Sequence, residues 1–241
     1  MSREPQLPDP GALGAAETDP AGAVARLLLA DARLPAGGHA HSAVLEGAVA
    51  AGLTAAEVPE FLTARLRTVA RTEAAAAVLA HRASGHDQVD LAPIITALEA
   101  RTPSAPQREA SRALGRGLSR LARHLAGTHP GVRALPRTAP HPPRPVALGC
   151  VAAALGVSEP DTARLSLYED AQTVAAAALK LLPGDPVATT TWIVQAAPLI
   201  EDGVGAAVAT TAPHELPARS APLLDQWAGE HAHTTRRLFH A

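Results

Sequence analysis

Two histidine pairs carry the plainest chemical potential in this sequence. His39 and His41 sit in the stretch Leu34-Pro35-Ala36-Gly37-Gly38-His39-Ala40-His41, and His231 and His233 lie near the C-terminus. Imidazole nitrogens suit nickel, zinc and copper. Residues two apart do not share a helix face, so either pair needs loop geometry or a second subunit to hold a metal. Both pairs therefore read first as ordinary surface histidines and only as weak metal candidates, and no metal is assigned. Cys150, the single cysteine, lies in the apolar stretch Ala147-Leu148-Gly149-Cys150-Val151, which suits a buried inert thiol better than a nucleophile. One cysteine also excludes an intramolecular disulfide and any multi-cysteine zinc site. There is no Walker A loop, no dinucleotide-binding glycine fingerprint, no nucleophile elbow and no H-E-x-x-H pair.

Two further residues stand out by position. Glu46 lies one helical turn after Ser42 and close to the Gly37-Gly38 break; it reads either as a helix-surface carboxylate or as a recognition group beside a structured loop. Lys180 is the only lysine, and its place near a helix C-terminus complements the helix dipole, a sufficient structural reason for it. In its helix Leu167, Ala171, Val174, Ala178 and Leu181 share one face, with Glu169, Thr173 and Lys180 on the other, so Lys180 is expected to be exposed.

The elements that position these residues read as helices. Alanine supplies roughly a quarter of the chain and aromatics are 2%, which favours close helix packing through small side chains. Residues 1–21, rich in Pro, Gly and acids, are expected to form a disordered tail, with a single helical domain over 22–241. Helical patterning begins at Val24 and ends near Leu34, because Pro35 disfavours helical geometry in the residue before it. Ser42 is a plausible cap for a helix running to Gly52; Thr54 and Glu57 form a capping box for a longer helix reaching towards His81. A shorter helix covers 89–100. Over 106–126, Leu114, Leu118, Leu121 and Leu125 line one stripe, while Arg112, Arg116, Arg120 and Arg123 line the opposite side, as a solvated face or a groove for an acidic partner.

Residues 127–145 read as a Pro-rich connector that no helix crosses. Helices follow over 146–155, 160–182, 186–209 and 223–233. The expected architecture is an all-α bundle of about eight to ten helices. Near-zero net charge, −2, gives no electrostatic footprint for nucleic acid or an anionic membrane. No run of about 20 apolar residues and no signal-peptide pattern occurs, so the expected location is cytoplasmic.

Four blocks together resemble the UreF-type urease accessory proteins. "LLLADARLPAGGHAHSAVLEGAVAAGL" resembles that family's Leu-Pro-x-Gly-Gly loop followed by Ser and Leu-Glu. "PQREASRALGRGLSRLA" is similar to its Arg-Glu-x-Ser segment, "YEDAQTVAAAALKLLPGDP" to its segment ending in a basic residue and a Leu-x-Pro turn, and "PLLDQWAGEHAHTTRRLFHA" to its C-terminal stretch. The chain departs from the pattern in having His39 where an aromatic follows Gly-Gly, Ala43 and Val44 where Gly often separates Ser from Leu-Glu, and "PGDP" where Pro-Leu-Gly-Gln is common.

The resemblance implies an all-helical homodimer that turns over no substrate. It implies work with a UreD/UreH-type scaffold and a UreG-type GTPase to deliver nickel to apo-urease, with no tightly bound cofactor and nickel only in transit. On this reading Gly37, Gly38, Ser42, Glu46 and Lys180 face the GTPase, and the tail Arg237, Leu238 and Phe239 docks on the scaffold. Two other classes remain open on the residues themselves: a helical scaffold unrelated to urease, and a metal-dependent hydrolase using the histidines.

Overall fold

The computed structural model describes residues 20–35, 40–138, 141–219, 221–235 and 238–239. Among them there is no strand. The helices are α1 (Pro20–Ala30), α2 (Leu45–Ala50), α3 (Val58–Arg67), α4 (Val69–Ser84), α5 (Ala92–Glu99), α6 (Ala105–Ala126), α7 (Pro130–Thr138), α8 (Arg144–Ala154), α9 (Glu159–Leu181), α10 (Pro186–Gln195), α11 (Ala197–Ala209) and α12 (Pro222–Ala232). Single residues, Thr68 and Ala196, separate α3 from α4 and α10 from α11, so the helix expected over 186–209 is divided at Ala196. The all-α expectation holds; the expected tail lies almost wholly outside the described residues.

At the centre is α4, whose run Ala74 to Val78 is completely buried. It packs against α8, α9 and α11, and alanine is what allows these axes to approach. Gly149 on α8 takes the approach to its limit: a Cβ there would stand 2.2 Å from the Ala77 carbonyl oxygen. One continuous apolar core runs from Leu29 on α1 to Phe239 in the tail. Several starts follow the sequence signals. Thr54 and Glu57 form their capping box on a short 3-10 turn that leads into α3. The hydroxyl of Ser158 accepts the Asp161 N–H at 3.2 Å to cap α9, and the Asp185 carboxylate accepts the Val187 N–H at 2.9 Å to cap α10.

Four expectations are corrected. Helix α1 begins at Pro20 and stops at Ala30, four residues short of Leu34, because Asp31 turns the chain by accepting the Arg33 N–H at 2.9 Å. The long helix expected from Thr54 breaks at Thr68. Its hydroxyl donates to the Ala64 carbonyl at 2.7 Å, the acceptor a continuous helix assigns to the Thr68 N–H, which turns to Arg65 O instead. The Pro-rich connector contains α7, with Pro130 at its first position and Pro136 in its last turn; burial of Val132, Ala134 and Leu135 outweighs the lost hydrogen bond. Leu125 is 45% exposed where α6 outruns the core, and Arg112 on the opposite face is not simply solvated but pairs with Glu99.

Candidate functional site

The chain enters α2 through two left-handed residues, Ala43 at φ 52° and Val44 at φ 69°. Side chains rarely adopt this conformation, and a β-branched one least of all. It lets the Leu45 N–H reach the Ser42 carbonyl at 3.1 Å and the Glu46 N–H reach the Ser42 hydroxyl at 3.3 Å. The helix thus starts at Leu45, three residues past the expected cap. Ser42 is fully buried and acts on its surroundings by fixing the backbone of Glu46, not by facing outwards.

That backbone aims the Glu46 carboxylate inwards, where its side chain is 14% exposed and accepts three hydrogen bonds. Its Oε1 accepts the Leu238 N–H at 2.7 Å; its Oε2 accepts the Phe239 N–H at 2.9 Å and pairs with His231 Nε2 at 2.9 Å. Neither ordinary expectation for these residues survives: Glu46 is not a helix-surface carboxylate and His231 is not a surface histidine. The helix α12 that carries His231 comes this close because residue 47 is glycine; a Cβ there would lie 2.6 Å from the Trp227 carbonyl oxygen. One carboxylate on α2 therefore holds α12 and the C-terminal tail together across about 190 residues of sequence.

The tail so held turns Phe239 into the core, 3% exposed, and leaves Leu238 62% exposed. Lys180, exposed at the end of α9 as expected, places its ammonium 5.0 Å from the centre of the Phe239 ring, within cation–π range. Residues that the sequence assigned to two separate surfaces, Glu46 and Lys180 on one and Leu238 and Phe239 on the other, form one cluster.

Behind it lies a cavity of ≈ 180 Å³ reached by both Lys180 and Phe239 and walled by charge: Arg65, Glu73, Arg144, Glu169 and Asp170. Arg65 holds Asp170 bidentately at 3.1 and 2.5 Å, with both side chains 6% exposed. Arg144 pairs with Glu169 and stands 4.0 Å from Glu73, whose carboxyl burial pushes upwards while Arg144 pulls it back. The Nη1 of Arg65 is buried without a hydrogen-bond partner. Sequence reasoning passed over four of them and read Glu169 only as lying on the helix face opposite the apolar stripe, beside Lys180. The signal was present in Arg65, which sits within the stripe Phe61, Leu62, Leu66 of α3, and in Asp170, adjacent to the buried Ala171. A charge on an apolar face has to be paired or placed in a cavity.

Of the remaining candidates, Gly37, Gly38, His39 and Arg237 lie outside the described residues. His41 is buried and lines the cavity, and His233 is exposed. Among the described residues no three His, Cys, Asp or Glu side chains gather as a metal site. The buried Cys150 has its thiol pushed up to about 12 by burial.

The UreF family model matches residues 52–197. The chain is 40% identical over 218 residues to the urease accessory protein UreF of Mycobacterium sp. strain JLS, and 39% identical over 227 residues to that of Mycolicibacterium vanbaalenii. It is 38% identical over 215 residues to the same protein of Mycobacterium tuberculosis, and each match covers 88% of this chain and 96% of the relative. Extending beyond α3 to α10 on both sides, these matches take in most of the chain, and on them it belongs to the UreF family of urease accessory proteins.

Proposed function

We propose that this chain works in the cytoplasm as a homodimeric adaptor in urease metallocentre assembly, bridging a UreD/UreH-type scaffold and a UreG-type GTPase so that nickel reaches apo-urease. It acts by association and turns over no substrate. The observation that carries this reading is the convergence of Glu46, His231, Lys180 and the Leu238-Phe239 tail on one spot. A scaffold that grips the tail necessarily disturbs Phe239, and with it the setting of Lys180, the cation offered to the GTPase. Two binding events that share one structural element are thermodynamically linked, and each changes the affinity of the other by the same factor. Nickel, as cargo, needs no tight site here.

The second copy has a natural seat on α10. From Pro186 to Ile200 the chain carries no charge, and Val187 and Val194 on that helix are 69% and 68% exposed. An uncharged apolar face meets its own copy without repulsion, as a two-fold interface requires. Val194→Asp is expected to convert the dimer to monomer in sedimentation equilibrium.

Capture of the cognate GTPase and scaffold by Lys180→Glu and wild-type protein tests the adaptor reading. Lys180→Glu is expected to lose the GTPase and, because it also removes the cation over Phe239, to weaken the scaffold several-fold. Undiminished capture of both would remove Lys180 from the site.

A further inference from the structure

We infer that the α6–α7 face docks a carboxylate-rich protein surface within the urease assembly, at a place distinct from the Glu46–Lys180 cluster. Between Glu109 and Glu159 the sequence contains no acidic residue but seven arginines. Two of these are neutralised within the fold, Arg112 by Glu99 and Arg144 by Glu169. The other five, Arg116, Arg120 and Arg123 on α6 and Arg133 and Arg137 on α7, are all exposed, and none of their guanidinium groups makes an ion pair or hydrogen bond among the described residues.

Among the arginines described elsewhere only Arg67 and Arg219 are likewise exposed with no side-chain partner, and they are isolated from one another in the sequence. Arg26, Arg71, Arg82 and Arg164 each meet a carboxylate from a distant element, and Arg101 and Arg108 are satisfied by backbone carbonyls. Arg116, Arg120 and Arg123 follow a spacing of four and three residues along one helix face, spanning about 10 Å, and Arg133 and Arg137 repeat the spacing on the packed neighbour. Like charges at these spacings each cost a helix roughly 0.2–0.5 kcal/mol, so the arrangement works against folding.

The chemistry favours a protein over a nucleic acid. Guanidinium forks pair bidentately with carboxylates and phosphates alike. The rest of this chain, however, holds 14 basic against 23 acidic residues, which repel an extended phosphate backbone running past the patch. The segment 110–158 also lacks any Phe, Tyr or Trp on which a base could stack. A compact acidic surface meets the arginines without meeting the carboxylates.

The inference rests on the urease-assembly reading, and the test separates the two. The full chain, Arg116→Glu/Arg120→Glu/Arg123→Glu, and the control Arg67→Glu, an exposed arginine outside the face, are titrated against the cognate scaffold, GTPase and apo-urease. A 30-base-pair DNA duplex serves as the phosphate probe, at low and moderate salt. We expect wild type to bind at least one of the three proteins with an affinity that falls at least tenfold in the triple variant. Raising the salt should give a comparable loss, the control should stay within twofold, and DNA should not bind. The helical circular dichroism of the triple variant should match wild type. Wild-type binding that the triple variant retains within twofold overturns the docking face alone. Tighter binding of the duplex than of any protein also overturns it. If wild type binds none of the three proteins, the urease reading falls, and the face with it.

Discussion

Glu46→Gln isolates the clamp on the tail. The substitution keeps the shape of the side chain but removes its charge and one of its two acceptor oxygens, while three donors converge on it: Leu238 N–H, Phe239 N–H and His231. If the remaining oxygen takes the Oε2 position it keeps Phe239 and His231, and the amide NH2 then faces the Leu238 N–H donor against donor. If it takes the Oε1 position, it keeps only Leu238. Hydrogen bonds to a charged group are worth about 1.5–3 kcal/mol each, so losing one and discharging the others lowers the tail-closing equilibrium roughly ten- to hundredfold. Amide hydrogen exchange reads this directly. Leu238 and Phe239 should lose that much protection, while amides of the buried α4 segment Ala74 to Ala77 keep theirs. Unchanged protection at 238 and 239 would refute the clamp; loss of protection throughout α4 as well would mean that Glu46 supports the whole fold and not the tail.

Other consequences follow from individual residues. At Val44, held at φ 69° and 5% exposed, the usual ranking of replacements should invert: Val44→Gly should be more stable than Val44→Ala by about 0.5–1 kcal/mol in urea denaturation, because only glycine relieves the left-handed backbone. Greater stability of the alanine variant would mean that residue 44 is unstrained. Asp170→Leu leaves the Arg65 guanidinium buried and unpaired and should cost about 3–5 kcal/mol, whereas a loss below about 1 kcal/mol would show that water already reaches the pair. The Cys150 thiol, pushed from 9.0 to about 12, stays protonated in the fold at pH values where the unfolded chain ionises. Its contribution to stability is thus complete below pH 9 and lost as pH rises through about 12. At pH 8 the native thiol should resist a disulfide exchange reagent that modifies it promptly in guanidinium; prompt native reaction would place Cys150 at an accessible site.

The helices were legible where local rules act alone. The capping pair Thr54 and Glu57 and the apolar spacing of α9 are short-range signals, and the fold obeys them. Helix α7 was hidden because its two prolines and one glycine outweighed the apolar set Val132, Ala134, Leu135, whose burial depends on neighbours the sequence does not reveal. The site was legible as a set of residues and not as an arrangement. Glu46, Lys180, Leu238 and Phe239 could be singled out, but that Glu46 binds the tail depends on α2, α9 and α12 meeting, contacts between positions as much as 193 apart. His231 illustrates the limit: its spacing from His233 suggested a metal or the surface, and its partner proved to be a carboxylate 185 residues away.

Expression of the cognate urease gene cluster with and without this chain, at limiting nickel, tests the proposed delivery of nickel by association most directly. The prediction is that omission leaves apo-urease made but strips it of both nickel and activity, and that restoring the chain in trans restores both. Urease that acquires its full nickel and activity without this chain would contradict the claim.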